Sequence, residues 1–178
     1  MKRNMSATLS DFVDNIYTLK ALTRYNNKFK IISESVAEHS YFVAVLTLKL
    51  HDDYEFNLEK ALKMALVHDI PELHLSDVTH DVKRNFPKLA EEVTKAEYII
   101  MRDKYPSWYS AFKNFEDQDS PEALAVKLAD NLSCVQYAHA EIELGNKGYM
   151  KEVATNAGKR VKECTENLQK YRRIKNAN

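Results

Sequence analysis

One segment, MALVHDIPELHLSD (residues 64–77), limits how this chain can fold more than any other. It begins as an apolar helical stretch and runs directly into His68 and Asp69, with Glu72 and Asp77 close behind. Burying an ionised carboxylate without a partner costs on the order of several kcal/mol. The fold must therefore supply these groups with hydrogen bonds, with opposite charges or with a bound cation.

Apolar residues recur at helical spacing through most of the chain. Ser35 opens a Ser-x-x-Glu capping box, Asn57 is a predicted N-cap, and Ser120-Pro121-Glu122 combines a cap, a proline and an acid. Only three glycines and four prolines are present, which is few for a β protein with many tight turns. We predict an all-α fold in one domain, residues 1–178. The predicted helices are 8–24, 35–51, 58–69, 87–105, 121–145 and 149–173, and 106–120 is predicted to be a loop with at most one helical turn.

Two histidines and two aspartates are predicted to lie on apolar helix faces, because residues three, four or seven apart share a face. They are His39, His68, Asp69 and Asp130, on three different predicted helices. Hydrogen-bonded core histidines and paired aspartates would explain them one at a time. A divalent transition metal would explain them together, because imidazole and carboxylate form a mixed nitrogen and oxygen ligand set. The spacing alone leaves both explanations open.

The His-Asp doublet also occurs twice elsewhere. His51-Asp52 falls at a predicted helix end and is expected at the surface, and His80-Asp81 falls in the predicted linker after residue 77. Only His68-Asp69 is embedded in an apolar helix, so it is the doublet that we treat as a candidate site.

Charge, cysteine content and hydropathy limit the classes of partner and the cellular compartment that we predict for this protein. The formal net charge is zero, which gives no support to nucleic-acid or anionic-membrane binding. The two cysteines form neither a CxxC motif nor a disulfide framework, so we expect free thiols in a reducing compartment. The first residues lack the apolar core of a signal peptide, and no stretch approaches the roughly 18 apolar residues of a membrane span. We predict a cytoplasmic protein with no nucleic-acid and no membrane partner.

Three sequence motifs and one pair of residues resemble those of a known family. They are SVAEHSYFVAV (35–45), ALVHDIPELHLSDVTHDVKR (65–84), VKLADNLSCVQYAHAEIELGN (126–146) and the pair Arg24-Tyr25. With His39, His68-Asp69 and Asp130 in this order, the chain resembles the HD-domain phosphohydrolase superfamily, and most closely its HD-domain 5′-deoxynucleotidases. The likeness covers roughly residues 16–150, and no motif is found in the last 25 or so residues.

The resemblance implies a helical HD domain around a central divalent metal, with Co, Mn or Zn as candidates and Mg possible. It implies that His39, His68, Asp69 and Asp130 bind this metal. It also implies that Glu72 is the catalytic acidic residue and that Asp77 lies close to the sugar and the attacking water. Arg24 and Lys83 would face the substrate phosphate, and Tyr25 would lie beside the sugar. A homodimer is usual in the family.

The motifs of this chain differ from those of the family in two places. Tyr25 stands where the family often has tryptophan. Ser76 stands where a glycine commonly precedes the aspartate, and Thr79 and Asp81 replace prolines.

The implied function is metal-dependent hydrolysis of deoxynucleoside 5′-monophosphates to deoxynucleoside and phosphate. An alternative on the same scaffold is a deoxynucleoside triphosphate triphosphohydrolase. That enzyme would need further cations for three phosphates, and Lys127, Arg84 and Lys88 are candidates. A non-catalytic module that binds a metal or a nucleotide is a third reading, and an intact Glu72 beside intact ligands argues against it.

Overall fold

The computed structural model describes residues 5–172, and the fold of this range is all-α, as predicted. Extended pairing within it is limited to two isolated bridges, Thr23 with Ser35 and Tyr54 with Arg172. The helices of this range are α1 (Met5–Tyr17), α2 (Val36–Leu50), α3 (Leu58–Val67), α4 (Glu72–Leu75), α5 (His80–Asn85), α6 (Pro87–Lys104), α7 (Tyr109–Asp117), α8 (Pro121–Glu143) and α9 (Tyr149–Leu168).

The predicted helix starts are confirmed by their caps. Ser35 Oγ accepts from the Glu38 backbone N–H, and the Glu38 carboxylate accepts from the Ser35 N–H, so the capping box is complete. Asn57 caps α3 through its side chain, and Ser120 caps α8 in the same way. These caps satisfy donors that the first helical turn leaves without partners.

The first predicted helix extends too far. In the structure, α1 ends at Tyr17 and is followed by a short 3₁₀ turn, Thr18–Lys20, whereas the predicted helix continues to residue 24. Backbone pairing between distant residues is the reason. The Arg24 N–H donates to the Glu34 carbonyl, and the Val36 N–H donates to the Leu22 carbonyl, which draws this segment out of helical geometry.

Three other stretches differ from the sequence predictions. The predicted loop 106–120 contains α7, a helix of nine residues whose Phe112 and Phe115 are buried on one face. The predicted linker after residue 77 contains the short helix α5, and α4 lies just before it in a stretch for which no helix is predicted. The helix α9 ends at Leu168, and the predicted end at residue 173 lies outside the described residues.

The core forms where α8 meets α2 and α3. Ala123, Ala125 and Ala129 of α8 are fully buried, as are Ala61 and Ala65 of α3. Small side chains let helices approach closely, so the three helices that carry His39, His68 and Asp130 converge. Within the described range, none of the helices has the length and apolar character needed to cross a membrane.

Candidate metal centre and substrate cavity

Four potential metal-binding side chains converge at the meeting point of α2, α3 and α8. His39 Nε2 lies 3.2 Å from Asp130 Oδ1 and 3.4 Å from His68 Nε2. Asp69 Oδ2 lies 3.3 Å from His68 Nε2 and 3.7 Å from His39 Nε2. His39 comes from within α2, His68 and Asp69 follow the end of α3, and Asp130 comes from within α8. Both histidine Nε2 atoms therefore lie near Asp69 Oδ2, and His39 Nε2 also lies near Asp130 Oδ1.

The chemistry of this donor set fits a divalent transition metal. Ligand atoms of His39, His68 and Asp130 all lie within 4.8 Å of one another. The fourth predicted ligand, Asp69, is outside this set, although its Oδ2 lies within 3.7 Å of both histidine nitrogens. Burial raises the pKa of Asp69, but His68, His39 and Arg24 together hold it below its usual range. Burial also raises the pKa of Asp130, and Lys127 and His39 outweigh that effect. Both carboxyls are thus held in the ionised form that metal binding requires.

The orientation of His68 is set by its second ring nitrogen. His68 Nδ1 lies 2.9 Å from the Ala65 carbonyl oxygen, which only accepts hydrogen bonds. Nδ1 therefore carries the proton in the neutral ring, and the lone pair of Nε2 points towards the other three side chains. This is the tautomer that a metal ligand needs.

Glu72 is an acidic side chain without a full set of hydrogen bonds. Its buried Oε2 has no partner among residues 5–172. Burial, followed by the nearby charges of Asp69 and Asp77, raises its pKa well above the ordinary value. A carboxyl with a raised pKa beside a possible metal centre is suited to proton transfer.

A cavity of about 380 Å³ opens above these groups, within the usual range for small-molecule sites. His39 lies beneath it and is fully buried. The cavity brings together the other eight predicted site residues, which are Arg24, Tyr25, His68, Asp69, Glu72, Asp77, Lys83 and Asp130.

Arg24 and Tyr25 are held in place by long-range contacts. Arg24 Nη1 lies 2.9 Å from Glu34 Oε2, and Nη2 lies 3.3 Å from Cys134 Sγ. The Tyr25 ring stacks on Tyr137 with centroids 5.3 Å apart. These contacts fix both side chains against α8 and the 26–35 segment.

Asp77 is tied to Tyr25 through the backbone. The Tyr25 N–H donates to the Asp77 carboxylate. Ser76 precedes Asp77 with φ 61° and ψ 171°, a combination that normally requires glycine. This turn brings Asp77 back towards the cavity after the short helix that begins at Glu72.

Lys83 lines the cavity from α5, and its ammonium group is already paired. Lys83 Nζ lies 3.0 Å from Glu97 Oε1, and both side chains are partly buried. A bound phosphate would therefore compete with Glu97 for this lysine.

Two residues that hold cavity-lining segments in place were not predicted from the sequence. Glu34 pairs with Arg24. The fully buried Glu141 accepts hydrogen bonds from the Ile31 and Ile32 backbone N–H groups, which ties the 26–35 segment to α8. A signal was present for Glu141, since an acid one turn after Tyr137 and Ala138 lies on an apolar face. No local signal marked Glu34.

The sequence and the fold are similar to known proteins. The HD domain family model matches residues 16–172. The 5′-deoxynucleotidase HDDC2 of Danio rerio is 31% identical over 133 residues, which are 67% of this chain and 62% of that protein. The matched region therefore spans less than two thirds of the length of this relative.

Solved structures share the fold. A protein of Pyrococcus horikoshii OT3 has a TM-score of 0.74 and 29% identity, over 89% of this chain and 96% of that one. The cyanophage S-2L HD phosphohydrolase, in complex with dA and one catalytic Zn²⁺ ion, has a TM-score of 0.56 and 19% identity. That match covers 88% of this chain and 96% of the cyanophage chain and concerns the fold alone.

Proposed function

Because this chain belongs to the HD-domain phosphohydrolases, we propose that it is a metal-dependent 5′-deoxynucleotidase. It would hydrolyse deoxynucleoside 5′-monophosphates to deoxynucleoside and phosphate. The observation that carries the proposal is the convergence of two histidines and two aspartates beneath a cavity that also holds Glu72. The curated relative from zebrafish is a 5′-deoxynucleotidase and supports the same substrate class.

His39, His68, Asp69 and Asp130 are the proposed metal ligands. Their mixed nitrogen and oxygen donors suit Co, Mn or Zn, and Mg is possible. The zinc ion of the cyanophage enzyme, which shares the fold, is consistent with such a site. The chemistry that a divalent metal supplies when bound is Lewis-acid activation of water and of a phosphoryl oxygen.

The surrounding side chains have distinct proposed roles. Glu72 exchanges a proton with the attacking water or with the leaving 5′-oxygen, for which its raised pKa is suited. Arg24 and Lys83 donate to the phosphoryl oxygens and stabilise the charge that develops there. Asp77 lies near the sugar and the attacking water, and Tyr25 packs beside the sugar.

The charges of the cavity favour a monophosphate over a triphosphate. Acidic side chains lining the cavity outnumber basic ones. Of the cations considered for a triphosphate, Arg84 and Lys88 do not line the cavity, and Lys127 Nζ lies 3.0 Å from Asp130 Oδ2. A triphosphate would bring more negative charge against these carboxylates, so the triphosphohydrolase is the less supported alternative.

Domain organisation, location and assembly are also proposals. A shared core of α2, α3, α7 and α8 supports one domain. Two free thiols, Cys134 and Cys164, are consistent with the cytoplasm. A row of exposed apolar side chains on α2 supports a homodimer, and a net charge of zero argues against a nucleic-acid partner.

Product analysis tests the function. The protein is reconstituted with Mn²⁺ or Co²⁺ and incubated separately with dAMP and dATP. We expect deoxyadenosine and phosphate from dAMP. Triphosphate released from dATP would select the alternative, and no product from either substrate would leave only a binding role.

Glu72→Gln tests the chemistry apart from the metal. We expect it to retain the wild-type metal content and to lose hydrolysis by about 10²–10⁴-fold, the usual worth of general acid–base catalysis. Asp69→Ala is expected to lose the metal itself. The matched control is Glu91→Gln, which changes an exposed acid of α6 outside the cavity. A rate for Glu72→Gln within about threefold of the wild type would remove Glu72 from the mechanism.

A further inference from the structure

One wall of the cavity comes from α9, a helix in the part of the chain where the sequence shows no motif. Its cavity-facing side chains recur every three or four positions, as one face of a helix does. They are Tyr149, Glu152, Val153, Asn156, Ala157 and Arg160. The wall therefore contains four polar side chains and two apolar ones.

Asn156 differs from the other polar groups of this wall in its hydrogen bonding. The others have partners: Tyr149 Oη donates to Asp81 at 3.0 Å, Glu152 accepts from Arg84 at 2.6 Å, and Arg160 contacts His80 Nε2. The half-buried Asn156 carboxamide has no hydrogen-bond partner within residues 5–172. A carboxamide offers two donors and one acceptor, and here all three are available to a ligand in the cavity.

The position of Asn156 relates it to the proposed sugar site. Asn156 lies one helical turn beyond Val153, which packs against the cluster that contains Tyr25 and Tyr137. The Tyr149 ring meets the Tyr25 ring edge-on, with centroids 6.2 Å apart. The α9 wall thus borders the place where Tyr25 is proposed to hold the sugar. The sugar of a nucleotide carries a base as well as a phosphate.

We propose that the Asn156 carboxamide binds the nucleobase of the substrate, an inference that rests on the proposed nucleotidase function. Every nucleobase presents a neighbouring donor and acceptor on its Watson–Crick edge, which the mixed donors and acceptor of a carboxamide match. A phosphate presents acceptors only and is matched better by arginine or lysine. Val153 and the Tyr149 ring supply apolar surface for the base.

Comparison of substrates with and without a base tests this assignment. The value of kcat/KM is measured for dAMP, dTMP and 2-deoxyribose 5-phosphate with the metal-reconstituted protein. We expect Asn156→Ala to lose about 3- to 10-fold on both nucleotides, the usual worth of one hydrogen bond, and nothing on the base-free sugar phosphate. The matched control is Asn167→Ala, which changes an exposed asparagine of the same helix outside the cavity.

Ligand-detected NMR with deoxyadenosine gives a second readout that needs no hydrolysis. We expect its saturation-transfer signal to fall severalfold in Asn156→Ala and to stay unchanged in Asn167→Ala. An equal loss on 2-deoxyribose 5-phosphate, or no loss on any substrate, overturns the base contact. If the wild type hydrolyses no nucleotide, the proposed function fails separately. The NMR comparison then decides alone: a signal that depends on Asn156 supports the contact, and a signal that does not, or no signal, overturns it.

Discussion

At the scale of single residues, the position of Arg24 depends on Glu34. Both side chains are only 12% exposed, and they form an ion pair of 2.9 Å. Arg24 Nη1 also lies 2.9 Å from His39 Nδ1, so the guanidinium lies against a proposed metal ligand. A buried cation that loses its partner carboxylate is destabilised and shifts towards other acceptors. We therefore predict that Glu34 positions Arg24 for the proposed phosphate contact.

Glu34→Gln removes this charge and preserves the shape of the side chain. We expect the KM for dAMP to rise about tenfold with a smaller change in kcat, because a misplaced Arg24 weakens the charge-assisted contact to phosphate. Metal content should be unchanged. The control is Glu59→Gln, which breaks an exposed ion pair with Lys63 and should leave KM unaffected. A loss of metal in Glu34→Gln, or an unchanged KM, would contradict the positioning role.

At the scale of helices and segments, the carboxylate of Asp81 links α5 to the 26–35 segment and to α9. Asp81, in the first turn of α5, pairs with Lys28 of the 26–35 segment and accepts from Tyr149 Oη of α9 at 3.0 Å. Burial raises the pKa of Asp81, but the hydrogen bonds from Lys28, Thr79 and Tyr149 lower it to about 2. The ionised carboxylate thus stabilises the folded state. Its contacts with Lys28 and Tyr149 also hold in place the helix that carries Lys83.

Asp81→Asn should reveal these contacts through its pH dependence. Because the folded pKa of about 2 lies below the ordinary value, the stabilisation is complete above about pH 4 and is lost as the pH falls through 2. We expect the variant to lose about 2 kcal/mol of unfolding free energy at pH 7. The difference from wild type should shrink in urea titrations taken towards pH 3. The exposed Asp53→Asn serves as control, and a difference independent of pH would refute the account.

Two further features concern segments outside the long helices: the strained backbone at Ser76 and the hydrogen bonds that buried Glu141 accepts. Ser76 adopts a glycine-like backbone conformation where the resembled family has a glycine, at a cost of about 1–3 kcal/mol. Glu141 offsets the lack of regular structure in the 26–35 segment by accepting from two of its backbone N–H groups. Ser76 lies directly before Asp77, a proposed site residue, and backbone strain is commonly found at such sites.

At the scale of the whole molecule, α2 carries exposed apolar side chains on its outer face. Its inner face buries His39, Val43 and Thr47. Its outer face exposes Tyr41 by 65%, Phe42 by 54%, Val45 by 41% and Leu48 by 45%. A contiguous group of exposed apolar side chains commonly marks an interaction surface. A second copy of the chain is the proposed cover.

Leu48→Asp tests the proposed dimer. A charge buried in an apolar interface is costly, so we expect the variant to elute and scatter light as a monomer at micromolar concentration while retaining its helical circular dichroism. The control is Lys162→Glu, which reverses an 81% exposed charge on α9 and should remain dimeric. A wild-type protein that is already monomeric, or a dimer that tolerates Leu48→Asp, would contradict the interface.

The amino-acid sequence alone was enough to predict the all-α class and the starts of α2, α3, α6 and α8. These depend on local signals, since a cap and the donors it satisfies lie within one helical turn. It also placed His39, His68, Asp69 and Asp130 on apolar faces, because helical periodicity requires no knowledge of the partner helices. The resemblance to HD-domain phosphohydrolases added the proposed substrate contacts, and the family match confirms that resemblance.

Three features depend on how the helices pack: where α1 ends, that 109–117 is helical, and which face of α9 borders the cavity. The contacts responsible join residues far apart in the chain: Glu141 holds the Ile32 backbone N–H across 109 positions, and Arg24 reaches Cys134 across 110. Phe112 and Phe115 stabilise α7 through burial against other elements, which no short window of sequence contains. Contacts of this kind arise after the helices pack, so local propensity and spacing carry no record of them.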